Sequence, residues 1–147
     1  MSLYSQVYTD SLEYYSNLAL RPQNPNDLFN AFTYFDTNYK KAVKQKDNNA
    51  AINLLYYKAS IEYKKGAYDD SEETAVNAIS ILNNSSASPY TIASRKSLYN
   101  LLGLVYLEKM NTHKALELYG KTFEIAENTK DSIIIYNNIA LVYKDLG

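Results

Sequence analysis

The sequence predicts an all-α fold, a solenoid of about seven helices stacked as repeated hairpins. Three observations predict it: helical periodicity, paired tyrosines and an internal repeat. The tyrosines of each pair lie seven residues apart, and the residue four after the first tyrosine is small. These positions are Tyr56/Ser60/Tyr63, Tyr99/Gly103/Tyr106 and Tyr136/Ala140/Tyr143. The second and third blocks match at five of eight positions and lie 37 residues apart, whereas the first two lie 43 apart. Such a repeat indicates one helical unit stacked on copies of itself.

The first three helices follow from apolar periodicity and from the residues that interrupt it. The first ends at the break Arg-Pro-Gln-Asn-Pro, residues 21–25. Asn24 caps the second helix, and Pro25 takes its first position, where a missing N–H costs nothing. Asp47 begins the turn to the third helix, and Gly66 marks the end of that helix. The predicted extents are about 3–20, 25–46 and 49–65.

The remaining four helices are predicted from similar signals. Acidic residues near the start of the fourth helix, such as Asp69 and Asp70, suit the positive end of a helix dipole. Residues 83–88, Asn-Asn-Ser-Ser-Ala-Ser, form the most loop-like stretch in the chain. Ser88 caps the fifth helix ahead of Pro89, and Thr112 caps the sixth. The predicted extents are about 68–82, 89–110, 112–128 and 130–146.

Composition limits the classes of function. The 147 residues suffice for one ordinary domain, and the net charge of −1 gives no global field to attract nucleic acid or anionic lipid. No apolar run approaches the ~20 residues that a membrane-spanning helix needs. The chain has no cysteine, which excludes disulfides and thiolate metal sites and fits a reducing compartment. We therefore expect a cytoplasmic location, with no membrane partner and no nucleic acid bound directly.

The third to seventh predicted helices resemble the tetratricopeptide repeat (TPR) family, whose unit is a hairpin of two helices. The residues that carry the resemblance in one unit are Tyr99, Leu102, Gly103, Tyr106, Ala115 and Tyr119. An earlier unit offers Tyr56, Ala59, Ser60, Tyr63, Ser71, Ala75 and Ala78. The resemblance implies a right-handed superhelical α-α solenoid, whose small residues let the paired helices approach closely. The repeats of 43 and 37 residues are longer than the usual unit of about 34.

The resemblance also implies how the chain is divided. Residues 1–147 form one TPR-like domain, and residues 1–48 form a divergent first helix pair. Two repeats follow at 49–88 and 89–129, and residues 130–147 are the first helix of a truncated repeat. The apolar seventh helix leads us to expect a piece of a longer protein, with possible self-association through that exposed helix.

In this family the first helix of each pair lines a concave face that binds partners. The residues that the resemblance places there are Tyr57, Ile61, Lys64, Asn100, Leu104, Leu107, Asn137, Leu141 and Lys144, with Leu54, Ser97 and Ile134 beside them. Asn100 and Asn137 share a register, so we expect their amides to form a ladder. Each amide can both donate to and accept from a peptide backbone.

The function implied is binding of a protein or peptide, within the sensory or interaction region of a larger bacterial signalling or transcriptional regulator. The alternative is a structural or dimerisation module with no separate ligand. His113 has no second histidine or neighbouring nucleophile to form a catalytic or metal site, so we expect no enzyme activity, no cofactor and no metal. Lysines of the second and third helices form a basic neighbourhood, which is either solvated surface or a groove for an anionic partner.

Overall fold

The regular secondary structure of the described part of the chain is all helix, as its periodicity predicts. The computed structural model describes residues 3–126 and 129–145, and this part of the chain contains seven helices and no strand. Both the all-α class and the number of helices are thereby confirmed. The helices are α1 (Leu3–Leu20), α2 (Pro25–Gln45), α3 (Asn48–Lys64), α4 (Tyr68–Asn83), α5 (Pro89–Glu108), α6 (Thr112–Glu124) and α7 (Thr129–Asp145).

The helices pack in sequence order, and their further contacts follow a simple rule. Each helix packs against the next one along the chain. In addition α1 contacts α3, α3 contacts α5, and α5 contacts α7. Over residues 3–126 and 129–145, the backbones of α2, α4 and α6 do not approach one another closely, although the Asn77 amide of α4 donates to the Tyr39 hydroxyl of α2 at 3.2 Å. The odd-numbered helices therefore lie side by side on one side of the molecule, and the even-numbered helices are spaced more widely on the other.

Three tight connections between helices use the same backbone motif. Lys46, Gly66 and Met110 each have positive φ, at 56°, 76° and 60°. The residue after each one donates its N–H to the carbonyl five positions earlier, as Ala67 does to Glu62 at 2.9 Å. This is the Schellman arrangement, which satisfies carbonyls that a helix end would otherwise leave without partners. Glycine adopts this conformation without strain, whereas Lys46 and Met110 hold it at a cost.

Two of the three side-chain caps that the sequence predicts are confirmed, at the starts of α2 and α5. Asn24 and Asp27 form a reciprocal capping box at α2, and Ser88 and Thr91 form another at α5. Each box satisfies N–H groups that have no partner inside the helix. The predicted cap of α6, Thr112, is wrong: Asn111 caps that helix by accepting from the Lys114 N–H. The predicted end of α6 near residue 128 is also wrong, because the helix ends at Glu124 and residues 125–126 are not helical.

The apolar interior is a series of three clusters that share helices. The first joins α1, α2 and α3 around Phe35, the second joins α3, α4 and α5 around Leu82, and the third joins α6 and α7 around Tyr119. Partly buried Tyr106 of α5 packs against both the second and the third cluster. Each helix hairpin is thus buried by its neighbours in the chain rather than around one closed centre.

The small residues predicted at helix crossings have different surroundings. A Cβ added to Gly103 would lie 2.4 Å from Cε1 of Tyr119, so α6 approaches α5 at the distance that only glycine permits. Ser60 is buried, and its hydroxyl donates to the Tyr56 carbonyl within α3. Ala140 of α7 is exposed. The described chain therefore places a second helix over the first two positions of this series but not over the third.

Candidate binding groove

Two neighbouring cavities lie along α5 on the side where the odd-numbered helices meet. The first has a volume of about 190 Å³ between α3 and α5, and the second has about 310 Å³ between α5 and α7. Both are lined by Ala93 and Ser97, which are exposed and lie one helical turn apart. Because these side chains are small, the wall between the cavities is low. We call the joined cavities the α5 groove.

The α3 side of the groove is aromatic. Its lining residues besides Ala93 and Ser97 are Ile52, Asn53, Tyr56, Tyr57, Tyr90 and Ser94. Tyr57 stacks on buried Phe35 with ring centroids 5.1 Å apart and meets Tyr56 edge-on at 5.3 Å. Burial raises the pKa of the Tyr56 hydroxyl, so the phenol stays neutral. Tyr90 donates its hydroxyl to the Asn49 carbonyl at 2.7 Å, which fixes the ring at the groove edge.

The α7 side of the groove combines apolar and amide groups. It is lined by Lys96, Asn100, Thr122, Ile134 and Ile135 in addition to the two shared residues. The Asn138 amide donates to Oδ1 of Asn100 at 2.5 Å and so links α7 to α5. This bond leaves the Asn100 NH₂ group and the Asn138 carbonyl oxygen available as donor and acceptor. A ligand with both apolar side chains and amide groups fits such a lining.

Four of the residues predicted for the concave face line the groove. Tyr57 lies in the first cavity, Asn100 and Ile134 lie in the second, and Ser97 lines both. Ile61 is fully buried in the first apolar cluster, where it offers no surface to a partner. Lys64 is exposed, but its ammonium group donates to the Leu20 carbonyl at 2.9 Å and joins α3 to the end of α1.

The other predicted residues lie outside the lining of the two cavities. Leu104 and Leu107 are half-buried, and Leu107 packs against the third apolar cluster. Asn137, Leu141 and Lys144 are exposed on α7. The predicted ladder partner of Asn100 was off by one residue, because Asn138 and not Asn137 makes the bond. One position along a helix rotates a side chain by about 100°, so this difference changes the face that the amide occupies.

Several groove residues escaped the sequence analysis, although helical spacing pointed to some of them. Ala93 lies four positions before Ser97, and Asn53 lies four positions before Tyr57. Residues four apart share a helix face. Extending each row of predicted concave-face residues by one turn toward the helix start would therefore have included both. Tyr90 had no comparable signal, because its position depends on how the start of α5 meets the start of α3.

The basic neighbourhood of α2 and α3 is partly neutralised. Asp36 pairs with Lys40 at 2.6 Å and with Lys58 at 3.0 Å, and hydrogen bonds from these two ammonium groups lower the pKa of its carboxyl group. Lys58 and Lys65 also lie over the Phe32 ring, at 5.2 and 5.6 Å from its centroid. With Lys64, which donates to the Leu20 carbonyl, four of the seven lysines are thus engaged within the chain.

The residue types that bind metal ions are dispersed over the described part of the chain. His113 is exposed in the first turn of α6. In the described ranges, no three His, Cys, Asp or Glu side chains are grouped so that they could hold a metal ion. Among the same residues, no helix has the length and apolar character to cross a membrane.

Comparisons with protein-family models, with curated proteins and with solved structures give no match for this chain.

Proposed function

We propose that the chain is a TPR-like solenoid that binds a protein or peptide segment in the α5 groove and catalyses no reaction. The observation that carries the proposal is the pair of joined cavities, which runs across α3, α5 and α7. The contacts between successive odd-numbered helices support the solenoid, because closer packing on one side than on the other bends a stack of hairpins into an arc. The groove lies on the inner side of that arc.

The lining suggests how a peptide is held. Apolar walls supplied by Tyr57 and Ile134 receive side chains, and the amides of Asn53 and Asn100 pair with the peptide backbone whatever its sequence. Backbone pairing combined with shallow apolar cavities favours an extended segment of a partner protein over a compact small molecule. A sensory or interaction region of a larger bacterial regulator would use such a surface.

The test is to block the shared wall of the groove. Peptides are first selected from a random displayed library on the wild-type chain, and their dissociation constants are then measured by fluorescence anisotropy. Ser97→Trp places a large ring at the junction of both cavities, so we expect binding to weaken at least about tenfold. Ser80→Trp is the matched control, since Ser80 is exposed on α4 and lies outside the groove lining. Equal binding by both variants would reject the groove.

The alternative function, a dimerisation module without a separate ligand, is favoured by the exposed apolar side chains of α7. Ile133, Ile134 and Leu141 are each about half exposed. Three exposed aliphatic side chains on one helix would suit an interface between copies of the chain. Light scattering over a concentration series separates the two functions: a stable dimer from which no library peptide can be selected favours this alternative.

A further inference from the structure

The spacing of the two cavities of the α5 groove restricts the backbone conformation of a ligand. One cavity lies between α3 and α5 and the other between α5 and α7, so they are separated by about one helix-to-helix distance. Helices in contact lie about 8–10 Å apart, and α5 contacts both α3 and α7. A ligand chain that fills both cavities therefore needs two side chains that point the same way and lie about this far apart.

Two regular backbone conformations meet this requirement. A polyproline II helix has three residues per turn and rises about 3.1 Å per residue, so positions i and i+3 lie about 9 Å apart on one side. An α-helix places positions i and i+7 about 10.5 Å apart on one side. A β-strand does not fit, because its positions i and i+2 lie only about 6.6 Å apart. The polar groups of the groove distinguish between the first two conformations.

These polar groups favour a ligand chain with free carbonyls. Oδ1 of Asn100 accepts from the Asn138 amide, so Asn100 presents its NH₂ group as a donor, and Asn53 brings a second NH₂ group to the other cavity. Within the described residues, no aspartate or glutamate lines either cavity, so peptide N–H groups meet only neutral oxygens there. An α-helix uses its carbonyls internally, whereas polyproline II leaves all of them free.

The aromatic cavity between α3 and α5 suits a proline ring. Tyr56, Tyr57 and Tyr90 all line this cavity. Their rings are held by the stacking of Tyr57 on Phe35, by the edge contact between Tyr56 and Tyr57, and by the hydrogen bond from Tyr90 to the Asn49 carbonyl. Because the rings are ordered in advance, little side-chain entropy is lost when a ligand binds. Grooves lined by aromatic rings receive Pro-x-x-Pro segments in several classes of peptide-binding domain.

Resting on the proposed function, we infer that the segment bound in the α5 groove is proline-rich and adopts the polyproline II conformation. One proline packs among the three tyrosines, and the proline three positions away enters the cavity lined by Ile134 and Ile135. Proline has no N–H group, so these two residues leave no donor unpaired in the groove, while neighbouring carbonyls accept from Asn53 and Asn100. The preformed conformation of such a segment also reduces the entropy lost on binding.

The experiment measures the binding of labelled, uncharged synthetic peptides to the full chain by fluorescence anisotropy. One peptide repeats the unit Pro-Ala-Ala, which places prolines at positions i and i+3. A second peptide has the same composition, but its prolines are grouped so that no two of them lie three positions apart. We expect the first peptide to bind at least about tenfold more tightly, because only this peptide places a proline in each cavity. Equal affinities, or no binding of either peptide, would overturn the inference.

Variants of the chain test the two kinds of contact with the Pro-Ala-Ala peptide. Tyr90→Ala removes a ring from the edge of the aromatic cavity, and Asn53→Asp keeps the side-chain shape but replaces the NH₂ donor with an acceptor. Each should weaken binding about tenfold. The matched controls are Tyr14→Ala on α1 and Asn26→Asp on α2, since both residues are exposed outside the groove, and these variants should keep the wild-type affinity. Undiminished binding to either groove variant contradicts the inference.

Failure of this inference is distinguishable from failure of the proposed function. If library peptides without proline bind the wild-type chain and lose affinity for Ser97→Trp, the groove binds peptides but the inference about proline is overturned. If Ser97→Trp binds every selected peptide as tightly as Ser80→Trp does, the proposed function fails and the inference fails with it.

Discussion

The hairpins α3–α4 and α5–α6 occupy equivalent places in the repeat, yet they bring their helices together by different means. In α3–α4 the buried Ser71 hydroxyl donates to the Ala59 carbonyl at 2.8 Å across the helix pair. In α5–α6 the position of Ser71 is taken by Ala115, and the contact is made by the Tyr119 ring against Gly103. The repeat therefore determines where the two helices of a hairpin touch. It does not determine which helix carries the larger side chain at the contact, or whether a hydrogen bond joins the helices there.

The largest loss of stability is expected at the contact between α5 and α6, where no space remains for a larger side chain. Gly103→Ala adds a methyl group in the space of the Tyr119 ring, which is fully buried and cannot move outward. Overpacking of this kind costs about 1–3 kcal/mol, and we expect the upper end of that range. Urea denaturation followed by circular dichroism measures the loss.

Gly120→Ala is the control for this substitution. A Cβ at Gly120 meets nothing within 4 Å, so the change keeps its helix-propensity gain of roughly 1 kcal/mol and stabilises the chain. Ser60→Ala, at the position equivalent to Gly103, removes only a hydroxyl that bonds within its own helix and changes stability little. If Gly103→Ala stabilised the chain as Gly120→Ala does, α5 and α6 would not approach each other as closely as described.

A second difference between the hairpins is electrostatic. Glu62 of α3 is 7% exposed, and the equivalent residue on α5 is the fully buried Val105. Burial raises the pKa of the Glu62 carboxyl group, while a hydrogen bond with Thr74 and the nearby charge of Lys58 lower it in part. Oε2 of Glu62 has no hydrogen-bond partner among the described residues. The first hairpin thus holds a carboxyl group that is more easily protonated in the folded chain than in the unfolded chain.

We therefore expect Glu62 to lower the stability of the folded chain as the pH rises. Its contribution is fully present below the unfolded pKa and is lost as the pH rises through the higher folded pKa. Glu62→Gln removes the charge that burial disfavours, so the variant should gain on the order of 1 kcal/mol at neutral pH and lose this part of the pH dependence. Denaturation between about pH 4 and pH 8 measures both effects.

The neighbouring exposed Glu73 provides the control, since Glu73→Gln changes the same charge without a buried carboxyl group. A parallel pH dependence for wild type and Glu62→Gln would show that Glu62 does not couple folding to pH.

Local signals predicted most of the helices and their ends. Helical periodicity gave seven segments, and Asn24, Gly66 and Ser88 marked boundaries through backbone chemistry that depends only on adjacent residues. The groove was predicted only in part. Tyr57, Ser97, Asn100 and Ile134 lie in it, but Ile61 is buried. The angle at which neighbouring helices cross determines which residues of a helix face are buried. This angle depends on contacts between residues that are distant in sequence.

The smallest expected effects concern the turns that close the two hairpins. Gly66 and Met110 have the same left-handed backbone conformation and the same hydrogen-bond pattern, so only the side chain differs. A Cβ at Gly66 meets nothing within 4 Å, so Gly66→Ala isolates the backbone strain and should cost about 1 kcal/mol.

Met110→Gly reverses this strain, because the Met110 side chain is 86% exposed and its removal costs almost no packing. The free energy of unfolding should rise by about 0.5 kcal/mol. The rise is smaller than the strain relieved, because glycine also adds conformational freedom to the unfolded chain. Met110→Ala removes the side chain but keeps the strain, so its melting temperature should stay that of the wild type. If the melting temperature rose equally for Met110→Ala and Met110→Gly, the gain in stability would come from removing the methionine side chain and not from relieving backbone strain. The two turns would then share a hydrogen-bond pattern without sharing its energetic cost.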